Sequence, residues 1–487
     1  MLKSFKFDKF KSRYEYKKRG ELGDILAEHQ RICIEENIPV IIMIDGWESS
    51  GKGYVLNDLV RDLDAKHYRV SIFEDFDETD DYSYTSQFWE KIPAKGDFAI
   101  FDRSMYYHMF NDLKSDDKIQ RLRIKQIMNL EKMLNDDHTI LIKFFLHESK
   151  DRQKEAIDDY LKDEYRKFLV GKEDIDQNEH YEKYFEHFDL MINSTNFSFS
   201  PWNVVSSEDR KIASKHVLGT TIEIIERQIQ DIRQRRNLEN NWKHPIYKAE
   251  NSLKDFKLST ELEQEYDELD SLQKKAGELA YALHTKNVPV VLVFEGMDAA
   301  GKGGAIQRLL GRIDARSYNI NPTSAPSDLE KDHHYLWRFY NNFPKDGYMT
   351  IFDRSWYGRV MVERIEGFAN EYEWLRAYGE INNMEKELVD YGTLLIKYLL
   401  IISKDEQQSR FKARELEKPY KITEEDWRNR EKWDEYIDAM DEMLYKTSTA
   451  YAPWTVVSGE SKKHARIHVL KEFISRAEEF LEKLENK

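Results

Sequence analysis

Residues 288–306, VPVVLVFEGMDAAGKGGAI, place a Gly-rich turn between a short β-branched run and the start of an apolar-periodic segment. Residues 288–294 predict a buried strand. Residues 305–310, AIQRLL, predict a helix. Strand, Gly-x-x-x-x-Gly-Lys and helix in that order form the phosphate-binding loop of nucleotide enzymes. Small residues let the backbone wrap a phosphate and aim several N–H groups at it, at the positive end of a new helix. Gly296, Ala300, Gly301, Gly303 and Gly304 are the expected cradle, and Lys302 adds a mobile point charge.

By average composition, one such loop arises by chance about 0.1 times in a chain this long. Here it occurs twice. IPVIIMI at residues 38–44 precedes DGWESSGKG at 45–53, so Lys52 matches Lys302. FDRSMY at 101–106 matches FDRSWY at 352–357, IKF at 142–144 matches IKY at 396–398, and SPWNVV at 200–205 matches APWTVV at 452–457. The offset stays near about 250 residues, too long for a solenoid repeat, and indicates a duplicated domain. Each half shows a helical lead-in, the loop strand, a strand ending in Phe-Asp-Arg, a helix, a third strand, a long charged helical stretch, a short Trp-x-Val-Val strand and a final helix. Four strands alternating with helices predict α/β architecture: two tandem P-loop-kinase-like domains, each a parallel sheet flanked by helices with a helical lid. The expected domains are residues 1–240 and 250–487, with the linker near 236–255.

Composition narrows the function. The 487 residues carry a net charge of −16, which argues against general nucleic-acid or anionic-membrane binding. A polyanionic substrate would need a local basic channel. The lone cysteine, Cys33, excludes a disulfide framework and a thiolate metal cage, and it fits a reducing, cytoplasmic setting. The basic N-terminus has no apolar core of the secretory kind, and no apolar run is long enough to span a bilayer.

YMTIFD at residues 348–353 is a strand ending in an acid. In phosphate-loop enzymes an acid at this place holds Mg²⁺, and an Asp capping a helix is the plainer alternative. The residue after each loop lysine is glycine, Gly53 or Gly303, where most phosphate loops place a Mg²⁺-binding Ser or Thr. A metal would therefore have to be held by other groups, with Asp298 and Asp353 the nearest candidates. For Asp298, metal ligand and turn-tightening residue are both open.

FEGMDAAGKGGAI, FDRSWYGRVMVERIEGF and WRNREKWDEYIDAMDEMLYKTSTAYAPWTVV resemble the polyphosphate kinase 2 family, and the duplicated architecture resembles its two-domain polyphosphate:AMP branch. The resemblance covers nearly all of residues 262–470 and is partial over 38–218. It implies phosphoryl transfer from inorganic polyphosphate to AMP, giving ADP, with Mg²⁺ as cofactor. It places catalytic positions at Asp298, Lys302, Asp353, Arg354 and the lid arginines Arg410 and Arg414, and a functional acid at Glu363. Gly358 stands where many single-domain members have Asn.

The chemistry is consistent with that reading. An AMP phosphate is mostly dianionic at pH 7, with a second pKa of about 6, so no general base is needed. The barrier is repulsion between anions, which cations and metal offset. Lys302, Arg354, Arg359, Arg364, Arg410 and Arg414 supply positive charge in the C-terminal half. Arg410 and Arg414 share one face of a helix that would close as a lid and exclude water. Lys412 points elsewhere and is expected to be solvated. Arg428, Arg430 and Lys432 could simply pair with Glu424, Glu425 and Glu431. In the N-terminal half Asp298 becomes Glu48, Arg338 Gln87, Arg359 His108, Glu363 Asp112, Arg364 Leu113, Arg410 Ala156, Arg414 Tyr160 and Arg466 Ser214. That half is expected to be inactive, serving packing, assembly or guidance of polyphosphate. Trp337, Tyr340 and Trp356 could stack a base but fit a core better.

Other activities remain open: a polyphosphate-dependent ADP kinase, a guanine-nucleotide counterpart, an ATP-dependent kinase of the thymidylate kinase type, and a non-catalytic sensor. Gly303 argues against the thymidylate kinase type. A homo-oligomer is compatible with the sequence.

Overall fold

The computed structural model describes residues 1–7, 12–73, 83–241, 253, 255–259, 268–417, 422 and 424–486. The chain forms two compact units. One comprises Met1–Asp80, Tyr84–Asn237 and Ser327–His334; the other comprises Asp81–Ser83, Leu238–Pro326 and Tyr335–Lys487. The final helix of the first unit, Arg210–Asn241, runs into the segment read as linker, most of whose remainder lies outside the described residues.

The first unit holds strands β1 (Val40–Gly46), β2 (Tyr68–Ile72), β3 (Phe98–Asp102), β4 (Ile140–His147) and β5 (Trp202–Ser206). They form one parallel sheet in the order β2-β3-β1-β4-β5. The second unit repeats this with β6 (Val290–Gly296), β7 (Tyr318–Pro322), β8 (Met349–Asp353), β9 (Leu394–Ile401) and β10 (Trp454–Ser458), ordered β7-β8-β6-β9-β10. Both are α/β sheets flanked by helices, as the motif order predicts. The sequence reading missed the edge strands β2 and β7. Each pairs on one side only, and its residues are intermediate or exposed throughout, so no apolar run marks it.

The central strands are continuous apolar runs because helices cover both faces. β9 is buried along its whole length, yet it carries Lys397 at its middle. The Lys397 ammonium is spent internally, on Glu385 at 2.7 Å, the Tyr357 hydroxyl at 2.9 Å and the Thr447 carbonyl at 2.8 Å. Lys143 in β4 repeats this with Glu131, Tyr106 and Thr195 at 3.1, 3.0 and 2.9 Å. The matched IKF and IKY motifs are thus a buried ion network tying strand, helix and Phe-Asp-Arg-Ser segment together in each unit. Among the described residues no helix is long and apolar enough to cross a membrane.

In both units the loop strand is central and flanked by strands whose connections leave in opposite directions. The crevice at its carboxyl end is where open α/β sheets bind ligands.

Candidate active site

In the second unit the turn after β6 leads into the helix Lys302–Leu309. Gly301 caps that helix in the left-handed region, at φ 107°. Gly296 sits at φ 134°, and a Cβ there would lie 2.0 Å from the Leu400 carbonyl oxygen. The loop can therefore hug β9 only if this position is glycine. Ala299, at φ 62°, stores strain in the turn. The helix's first N–H groups, at Lys302, Gly303 and Gly304, have no acceptor four residues back that a helix would supply, which leaves them available to an anion as expected of this loop.

Lys302 folds back on the loop, its Nζ donating to the carbonyls of Gly296 at 2.6 Å and Met297 at 3.3 Å. Burial depresses its pKa, against the attraction of Asp298. Asp298 accepts from Arg354 at 2.8 Å on one oxygen and from Asn429 at 2.9 Å on the other. Burial alone would raise its carboxyl pKa, but Lys302, Arg354 and Asn429 together hold it below the usual range. Arg354 follows β8 at φ 64°, a strained conformation fixed by its N–H donating to the Phe294 carbonyl at 3.0 Å. Asp353 ends β8 in register with Phe294 of β6 and Pro322 of β7. Lys302, Asp298, Arg354 and the β8 terminus thus converge at one end of the sheet.

Arg410 takes a different place from the one its lid position suggests. It is buried, and its guanidinium donates to the carbonyls of Ala299 at 2.8 Å, Gly459 at 2.6 Å and Glu460 at 3.0 Å, and to Glu406 at 2.6 Å. Its donors brace the loop from behind. Gln407 adds a bond to the Asp298 carbonyl at 3.1 Å. Half-buried Arg414 belongs to a basic group with Lys462 and Arg466. The Lys462 pKa is depressed first by burial, then by Arg410, Arg414 and Arg466, with Glu406 opposing. Arg466 lies 3.5 Å from where a Cβ on Gly304 would stand.

The remaining candidates lie apart from the loop contacts. Arg359 pairs with Glu363 at 3.2 Å and stacks over Tyr335. Arg364 pairs with Glu442 at 2.6 Å and lies over the Trp374 ring. Arg428 and Lys432 pair with Glu366, at 4.0 and 2.9 Å, rather than with Glu424 or Glu431; the side chain of Glu425 lies outside the described set. Trp356 and Tyr340 are core residues, Trp356 packing among Phe339, Phe343 and Phe352.

Sequence reasoning overlooked Glu295. It is buried one residue before the loop glycine and receives the Ser355 N–H at 2.7 Å and hydroxyl at 2.8 Å. Burial raises its pKa, opposed by Ser355 and Lys302. Asp45 does the same for Ser104, at 3.1 and 2.6 Å. An acid before the loop glycine in both copies was the available signal. This carboxyl locks the Phe-Asp-Arg-Ser turn to the loop strand.

The first unit keeps part of this geometry. Lys52 and Arg103 both meet Glu48, at 3.2 and 3.1 Å. Gln177 and Asp174 close on the loop, Gln177 accepting from the Glu48 N–H at 2.9 Å and Asp174 from the Ser49 hydroxyl at 2.5 Å. A buried carboxylate, Asp174, thus stands beside this loop.

Magnesium favours hard oxygen donors, one or two carboxylates completed by phosphate and water. Asp298 and Asp353 are the two carboxylates that could supply such a pair. Both Asp298 oxygens are engaged by neutral or cationic donors, which an incoming cation would displace. Among the described residues no group of three or more His, Cys, Asp or Glu side chains forms a protein-only cage.

The polyphosphate kinase 2 family description matches residues 9–233 and 257–484. A polyphosphate:AMP phosphotransferase of Pseudomonas aeruginosa is 36% identical over 463 residues, covering 93% of each chain. Its namesake from Acinetobacter johnsonii is 33% identical, covering 90% of each chain. A crystal structure of a polyphosphate kinase 2 from P. aeruginosa superposes with a TM-score of 0.85 at 34% identity, covering 99% of this chain and all of that one.

Proposed function

This chain belongs to the polyphosphate kinase 2 family, and on that premise we propose that it is a polyphosphate:AMP phosphotransferase whose chemistry resides in the second unit. The observation that carries the assignment of the unit is the convergence of Lys302 and Arg354 on Asp298 beside an open helix N-terminus, with Arg414, Lys462 and Arg466 near it. In the first unit the positions of Arg414 and Arg466 are Tyr160 and Ser214, and Asp174 stands at the loop.

A non-bridging oxygen of the AMP phosphate attacks the terminal phosphorus of polyphosphate. The bridging P–O bond behind it breaks, and the shortened chain departs as an anion. ADP forms without removal of a proton. The chain's task is therefore to gather anions and exclude water. The N–H groups of Gly301 to Gly304 and the Lys302 ammonium hold the donor phosphates. As phosphate arrives, Lys302 exchanges its loop carbonyls for phosphate oxygens, and Arg354 gains an anionic partner beside Asp298. Arg410 keeps the loop in shape. The helices Lys404–Glu417 and Glu424–Glu431 bring Gln407 and Asn429 onto Asp298 and shield the transfer from water. Mg²⁺, held by Asp353 and Asp298, would neutralise phosphate charge.

The test is a product assay with purified chain, Mg²⁺ and AMP, ADP or GMP, with polyphosphate or ATP as donor. ADP formed from AMP and polyphosphate supports the reading. Turnover only with ATP overturns it.

A further inference from the structure

The first unit holds a cavity of about 640 Å³ behind its loop, within the size range of small-ligand sites. Its origin lies in one missing side chain. Ala156 is as far beyond Lys143 as Arg410 is beyond Lys397. In the second unit the Arg410 guanidinium fills the space behind the loop and satisfies its carbonyls. In the first a methyl group stands there, and the space opens.

The walls are built for polar contact. Ser50, Glu148 and Ser207 are 3%, 1% and 2% exposed, and each lines the cavity. The Ser50 Oγ, Glu148 Oε1 and Ser207 Oγ atoms have no hydrogen-bond partner. Leaving three buried polar atoms unmatched is costly, about 1–3 kcal/mol each, unless something occupies the space. Arg152, Arg210 and Lys211 add positive charge. Arg210 lies over the Tyr54 ring, and among the described residues neither Arg210 nor Lys211 has a carboxylate partner. Two of the nearby acids are already engaged, Glu208 by Ser149 and Asp209 by the N–H groups of Lys211 and Ile212.

We propose that this cavity is a second, non-catalytic site for a short phosphoanhydride chain, separate from the transfer site of the second unit. The hydroxyls of Ser50 and Ser207 donate to its oxygens, and Arg152, Arg210 and Lys211 neutralise it. Burial, opposed by Arg152 and Lys52, pushes the Glu148 carboxyl up to about 8, so it presents a hydroxyl rather than a charge at neutral pH. The lining is nearly all polar, with Ala156 and Tyr160 its main apolar members. Such walls suit inorganic phosphate chains better than a nucleotide, whose base needs apolar faces.

Titration calorimetry of tripolyphosphate into the full chain tests this. Wild type should bind two equivalents. Ala156→Arg, which copies the side chain already accommodated at the matching position, should bind one. Arg210→Ala should weaken one of the two sites at least tenfold. AMP-dependent turnover at saturating polyphosphate should stay within twofold in both variants, so failure here is distinguishable from failure of the catalytic assignment. One equivalent in wild type that persists in Ala156→Arg, or two unchanged equivalents in both variants, overturns the proposal. Occupation of the cavity by AMP or ADP with no effect of tripolyphosphate would overturn the inorganic-chain assignment.

Discussion

Arg354 holds the Asp298 carboxylate at 2.8 Å while itself sitting in the left-handed region at φ 64°. A strained residue thus links the end of β8 to the phosphate-binding turn. Arg103 repeats the strain at φ 61° and meets Glu48 instead. The longer acid keeps the ion pair and also reaches Lys52, so the first unit's loop charges neutralise one another.

That difference predicts unequal outcomes for two lysines. Lys302→Ala should lower kcat by about 10²–10³-fold, the usual loss when one preorganised charge donor is removed. Lys52→Ala should leave kcat within about twofold. Steady-state AMP phosphorylation measures both, and comparable losses would place chemistry in both units.

Arg410 is expected to act through the loop. Arg410→Ala leaves the Ala299, Gly459 and Glu460 carbonyls without their donor, at about 1–3 kcal/mol for each group that water cannot reach. Thermal unfolding of the second unit should shift downward together with kcat. A direct phosphate contact would instead raise KM for polyphosphate and leave stability unchanged.

The buried lysine networks should be structural in both units. Lys397→Met strands the Glu385 carboxylate and should cost about 3–5 kcal/mol. Adding Glu385→Leu should recover much of that loss. Urea unfolding of the single and double variants checks the sign of the coupling.

Glu148 gives the first unit a pH dependence. Its folded pKa is raised from 4.5 to about 8, chiefly by burial. The folded state therefore binds more protons than the unfolded state between those values. This contribution is complete below about 4.5 and is lost as pH rises through about 8. Glu148→Gln should flatten the decline, seen as a smaller drop in the urea midpoint between pH 5 and pH 8.

The core strands, loops and duplicated motifs were legible because β1, β4, β6 and β9 are predominantly apolar runs, β1 and β6 each ending in the loop glycine. β2 and β7 were not, since edge strands with solvated faces lack such a run, and β7 even ends in Pro322. Candidate site residues divided in the same way. Lys302, Asp298, Asp353 and Arg354 lie within or beside local motifs, and their meeting follows from strand order. The role of Arg410 depended on the Gly459 and Glu460 carbonyls, and that of Arg364 on Glu442, far along the chain. No local pattern encodes such partners.

Gly46 and Gly296 each press against the neighbouring strand, so that a Cβ would stand 2.4 or 2.0 Å from the carbonyl of Leu146 or Leu400. This crowding is indifferent to whether a loop performs chemistry. A copy can exchange its arginines one by one, yet it must retain these glycines for the sheet to close. Persistence of the loop signature in such a copy therefore records an architectural debt, and activity has to be judged from the charges around it.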